Sequence, residues 1–72
     1  MVNKHYYFNN NTDENNNHEV HNEDCSRLPS ISNRTYIGYF SNCKDAINEA
    51  KKNNPNKNFD GCYWCCNPCH KG

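Results

Sequence analysis

The tail Gly61-Cys62-Tyr63-Trp64-Cys65-Cys66-Asn67-Pro68-Cys69-His70 places four cysteines and a histidine within ten residues. Two CxxC units lie end to end, Cys62/Cys65 and Cys66/Cys69. Two thiolates at this spacing can reach one ion while the backbone amides between them point at the sulfurs. A second donor group lies upstream, His21-x-x-x-Cys25. Soft thiolates and an imidazole drawn from two parts of a chain suit a tetrahedral zinc ion. The two CxxC units share one spacing, so spacing leaves the register open. We expect one zinc ion held by His21, Cys25, Cys66 and Cys69, with Cys62, Cys65 and His70 as alternates. Four tail thiols cannot all join His21 and Cys25 on one ion, so two are spare, paired or structural.

The remaining chemistry-bearing residues give weaker patterns. His18 and His21 are three apart, whereas the zincin motif needs two histidines four apart on a helix. On a strand they point to opposite faces, and His18 is expected in solvent. Cys43 falls on an apolar helical face and reads as a small buried hydrophobe. Cys43 and Cys62 are the disulfide candidates should the compartment be oxidising. Tyr36, Tyr39, Phe40, Tyr63 and Trp64 read first as core packing. Beside Arg27 and Arg34 they could instead stack on bases.

The elements that must position these residues are few. Seventy-two residues make one domain, residues 1–72, and 33% of them are apolar. A chain this short buries little core and usually needs a staple. Lys4-His5-Tyr6-Tyr7-Phe8 and Arg34 to Phe40 read as strands, with Gly38 marking a bulge or a close approach in the second. His18-Glu19-Val20-His21 reads as a short strand between them. Residues 9–17 are Asn-rich and read as a mobile hairpin loop. Cys43, Ala46, Ile47 and Ala50 share one helical face, Ser41 or Asn42 caps it, and Asn53-Asn54-Pro55 ends it. The expected fold is α+β: a three-stranded antiparallel sheet, one helix and a C-terminal zinc knuckle, with Phe59 packing back on the core.

Charge is segregated. Residues 1–24 carry one lysine and five acids, whereas residues 25–72 carry seven basic and three acidic residues. The total is neutral, which argues against specific nucleic-acid binding, since that depends on neutralising phosphates. No long apolar run suggests a membrane span, and the N-terminus lacks a signal-peptide core. A cytoplasmic, monomeric protein is expected, and there clustered cysteines favour metal over disulfides.

His21-x-x-x-Cys25, a strand ending in Phe40, a helix bearing Ala46 and a Gly-initiated CxxC tail resemble the zinc-binding module of bacterial Ada-type methyl-phosphotriester repair proteins. The likeness spans roughly residues 18–70 and extends to small bacterial proteins with Val-His-x-x-x-Cys-x-x-Leu-Pro and a Gly-Cys-Tyr-x-Cys-Cys ending. It implies His21, Cys25 and one CxxC as zinc ligands. Counting from Gly61, the family's first tail cysteine falls on Cys65 and its partner on Pro68. Choosing Cys66/Cys69 makes Gly61 through Cys65 an inserted turn. The repair enzymes carry two cysteines upstream where this chain has His21 and Cys25, so methyl transfer is not expected. Three functions follow: a structural-zinc interaction module without enzymatic activity, an Ada-like nucleic-acid-binding or thiol-reactive domain, or a secreted disulfide-stabilised peptide.

Overall fold

A computed structural model describes residues 2–71. The order is β1 (Lys4–Asn9), β2 (His18–Asn22), a 3-10 turn (Ile31–Asn33), β3 (Arg34–Phe40), α1 (Cys43–Asn53), β4 (Phe59–Gly61) and a second 3-10 turn (Asn67–Cys69). The sheet has four strands in the order β3-β1-β2-β4. Three pair antiparallel as expected, but β4 adds a fourth strand parallel to β2, so the sheet is mixed. That corrects the three-stranded antiparallel reading. Three residues are too few to show a period, and parallel pairing needs a crossover, here supplied by α1.

Alternation along the strands sorts side chains between two faces. Tyr6, Phe8 and Val20 turn toward α1 and pack with Ala46, Ile47, Ala50 and Phe59. The helix buries Cys43, Ala46, Ile47 and Ala50, the face its periodicity predicts. Asn42 caps it by accepting the Asp45 amide at 2.9 Å, and Asp45 sits where the helix dipole favours an acid. His18 also lies in this core and not in solvent. Its ring packs edge-on against Phe8, with centroids 5.6 Å apart, and Nδ1 donates to the Asn9 carbonyl at 2.7 Å. The strand rule placed His18 and His21 on opposite faces correctly; the helix covers the face that holds His18.

Gly38 sits where β3 bulges against β1. The register passes from Tyr6↔Gly38 to Tyr7↔Tyr36 and leaves Ile37 as the extra residue. Residues 9–17 turn around Asp13, whose carboxylate accepts the amides of Asn15 and Asn17 at 2.9 Å each. Tyr36, Tyr39, Tyr63 and Trp64 are all more than half exposed, so the core-packing reading of these aromatics is overturned. The apolar core is filled instead by Tyr6, Phe8, Phe59, Val20, Ile47, the alanines of α1 and buried cysteines, leaving these four rings outside. No helix among the described residues is long and apolar enough to cross a membrane.

Candidate metal centre

β2 turns His21 to the face opposite α1, beside Tyr7 on β1. Immediately after β2 the chain makes a tight turn, with the Cys25 amide donating to the Asn22 carbonyl at 3.2 Å. This brings Cys25 back over His21. From the other side, β4 delivers the tail: Gly61 pairs with Val20, and the Cys62 amide donates to the Val20 carbonyl at 3.0 Å. The tail then coils tightly, the Cys66 amide bonding to the Cys62 carbonyl at 2.8 Å. Gly61 permits this coil. A Cβ there would sit 2.7 Å from the Cys66 carbonyl oxygen and 2.8 Å from Cys69 Cβ, which no backbone shift at that point accommodates cheaply.

His21, Cys25, Cys62 and Cys65 each present one donor atom, and the four atoms lie within 4.8 Å of one another. Cys25 Sγ and Cys62 Sγ are 3.9 Å apart, and Cys65 Sγ is 4.0 Å from His21 Nδ1. A zinc–sulfur bond of about 2.3 Å puts tetrahedral vertices about 3.8 Å apart. Two edges, 3.9 and 4.0 Å, are close to that size, and every other edge lies within 4.8 Å. The donor chemistry fits as well. The Arg27 amide points at Cys25 Sγ, the Trp64 amide at Cys62 Sγ and the Asn22 amide at Cys65 Sγ, each at 3.4 Å. Backbone donors aimed at all three sulfurs stabilise thiolates and hold their rotamers.

His21 is almost fully buried and Nδ1 faces the sulfurs. Its Nε2 is 3.7 Å from the Glu19 carboxylate, an outer partner of the kind that orients a ligating imidazole. Burial holds the His21 ring below the ordinary histidine pKa, which favours the neutral form a metal needs. Burial pushes the Cys62 thiol up to about 12 and the Cys25 thiol above its ordinary value. The Cys65 thiol is raised by its contact with Cys66, 3.8 Å away, and by burial. All three sulfurs thus carry protons that a cation must displace.

The four-donor group contains the alternates Cys62 and Cys65, where the sequence reading placed Cys66 and Cys69 beside His21 and Cys25. Cys66 is fully buried in the core under α1, and Cys69 packs against that core. Gly61 precedes the first CxxC directly, and the turn Gly61 through Cys65 carries two members of the four-donor group. His70 lies outside the group: its Nδ1 donates to the Gly61 carbonyl at 2.9 Å. All six cysteines are free thiols. The disulfide candidates Cys43 and Cys62 have different places, Cys43 on the buried face of α1 while Cys62 lies beside Cys25.

Two contacts escaped the sequence reading. Arg27 stacks its guanidinium 4.7 Å above the Trp64 ring. Arg27 and Trp64 each stand two residues after a cysteine of the group, so this contact ties the two donor-bearing turns together outside the sulfurs. Equal offsets from Cys25 and Cys62 were the available signal. Asp60, fully buried on β4, accepts the Lys71 amide at 2.7 Å and anchors the end of the tail. No family model, curated protein or solved structure matches the chain.

Proposed function

We propose that this chain is a small zinc-binding domain in which one metal ion, held by His21, Cys25, Cys62 and Cys65, is structural. The single observation that carries the reading is the convergence of those four donors to within 4.8 Å. Four protein ligands close the coordination sphere and leave no open position for substrate or activated water, which is the pattern of a structural site and not of an enzyme. One imidazole and three thiolates match zinc in softness and geometry. Such a site works in a reducing, cytoplasmic setting, where the thiols stay available to the metal.

The role that fits a neutral domain with a rigid metal clasp is an interaction module. Trp64 and Tyr63 stand exposed on the clasp, with Arg27 against Trp64. This offers a partner two rings and a cation held on a metal-stiffened loop. The likeness to the Ada-type module rests on His21-x-x-x-Cys25 and the Gly-initiated CxxC, and nucleic-acid binding is the second reading it supplies.

Metal analysis of reduced, full-length chain tests the first reading. We expect one zinc per chain, with chelation abolishing the far-UV signal of the folded state. An unchanged far-UV signal after complete zinc removal would exclude a structural metal. Titration with short duplex and single-stranded DNA at physiological salt tests the second, and micromolar affinity there would displace the protein-partner role.

A further inference from the structure

Lys44 and Lys51 stand almost two full turns apart on α1, so they share one stripe of the helix with Cα atoms about 10 Å apart. That stripe flanks the buried one and meets the tail. Lys44 and Lys51 line a cavity of about 320 Å³ there, and Lys71 joins them from the tail side. Lys51 and Lys71 also line a second cavity of about 440 Å³, to which Lys57 contributes. The two cavities thus form one groove with four lysines along it, and no carboxylate lines either part. Among the described residues the lysine held in an ion pair is Lys4, by Asp24 at 2.9 Å, and none of these four is paired. The buried Asp60 accepts the Lys71 backbone amide at 2.7 Å and lies 3.6 Å from the His70 ring. It fixes the groove wall and leaves the Lys71 ammonium free.

Unpaired cations around one concavity repel each other and attract an anion. What surrounds the charges decides which anion. Both arginines, whose planar fork suits phosphate, are engaged elsewhere, stacked on Trp64 and Tyr7. The lysines act as point charges, and the surface between them is apolar: Ile47, Pro68 and Cys69 in the first cavity, Pro55 and Phe59 in the second. A phosphate backbone has no group to place there, whereas a leucine-sized side chain does. We propose that this groove docks an acidic peptide segment of a protein partner, one in which carboxylate and apolar side chains are interspersed. The carboxylates meet the lysines and the apolar side chains cover the floor. An extended segment advances about 3.3 Å per residue, so about three residues span Lys44 to Lys51. The groove begins beside the clasp, where Tyr63 packs edge-on against His70 with centroids 5.5 Å apart. The inference rests on the interaction role proposed above and names the class of partner.

The test titrates the full-length, reduced chain into a short fluorescein-labelled peptide of alternating glutamate and leucine at physiological salt, read by fluorescence anisotropy. Zinc content is measured on the same samples. We expect saturable binding that weakens as salt rises, and that is lost when glutamine replaces every glutamate of the peptide. A peptide of glutamate alone should bind more weakly, because it leaves the apolar floor uncovered. Lys51→Gln with Lys71→Gln should weaken binding about tenfold, whereas Lys52→Gln, outside both cavities, should leave it unchanged. Absence of binding, equal binding by the double variant, equal binding of the glutamate-only peptide, or tighter binding of a single-stranded oligonucleotide would overturn the proposal. Loss of peptide binding with one zinc per chain retained counts against the groove alone. A chain without zinc that still binds the peptide refutes the structural metal and supports the groove.

Discussion

Cys62/Cys65 and Cys66/Cys69 have the same spacing and adjoin in sequence, yet they end in different surroundings. The first unit sits beside His21 and Cys25, with backbone amides aimed at both of its sulfurs. The second turns under α1, where Cys66 becomes part of the core. The difference arises before the cysteines. β4 pairs parallel to β2 and hands the tail to the sheet at Val20, so the first cysteine after Gly61 emerges next to His21. A ligand motif fixes which atoms can share an ion; strand pairing decides which of two identical motifs meets the rest of the site.

The most severe way to break this contrast is to remove the metal. The apolar core is small, and structural zinc supplies on the order of 10 kcal/mol of apparent binding energy. We expect chelation to unfold the chain cooperatively, monitored by far-UV circular dichroism.

Protons give the next largest effect. Cys25, Cys62 and Cys65 are held above the ordinary thiol pKa, while His21 is held below its own. Near neutral pH the metal must therefore displace about three protons, all from sulfur. Zinc affinity should rise roughly a thousandfold per pH unit between the His21 and thiol titrations. Below the His21 titration the imidazole proton competes as well, and the slope steepens. Competition titrations across that range, with proton release measured in two buffers, check the sign and the count. A slope near one would mean that two of the thiols are already ionised or do not bind.

Gly61→Ala sharpens the comparison from the backbone side. Its new Cβ meets the Cys66 carbonyl and Cys69. We expect about 1–3 kcal/mol of destabilisation, together with weakened zinc binding as the coil that holds both CxxC units opens. Gly38→Ala meets the movable Phe40 ring, though at a φ of +158° that disfavours a side chain, and should leave zinc affinity unchanged. Thermal melts and zinc titrations on the pair separate the two roles.

The smallest effect is expected at Trp64→Ala. Losing the exposed Arg27 stacking should cost about 0.5–1 kcal/mol and leave metal stoichiometry at one. A larger loss, with zinc released, would show that the aromatic clasp holds the site and does not merely lie upon it.

Much of this was legible in the sequence. The period-3.6 pattern of Cys43, Ala46, Ile47 and Ala50 names the buried face of α1, and Asn42 and Asp45 mark its start. Arg34 to Phe40 is a strand throughout, bulged at Gly38. His21 and Cys25 were both named as donors, and both fall in the four-donor group. What stayed hidden is non-local. The short β4 owes its existence to pairing with β2, which its own three residues do not announce. The burial of His18 depends on which sheet face α1 covers, a choice no strand pattern makes alone. The exposure of Tyr36, Tyr39 and Trp64 reverses what their apolar character suggests. In a domain this small the alanines of α1 and a few phenylalanines already fill the interior.

The register carries the central claim, and metal content after gel filtration under reducing conditions tests it directly across four single variants. Cys62→Ser and Cys65→Ser should emerge without zinc, while Cys66→Ala and Cys69→Ala should each retain one ion. Zinc kept by the first pair and lost by the second would contradict the assignment and move the site to the other CxxC.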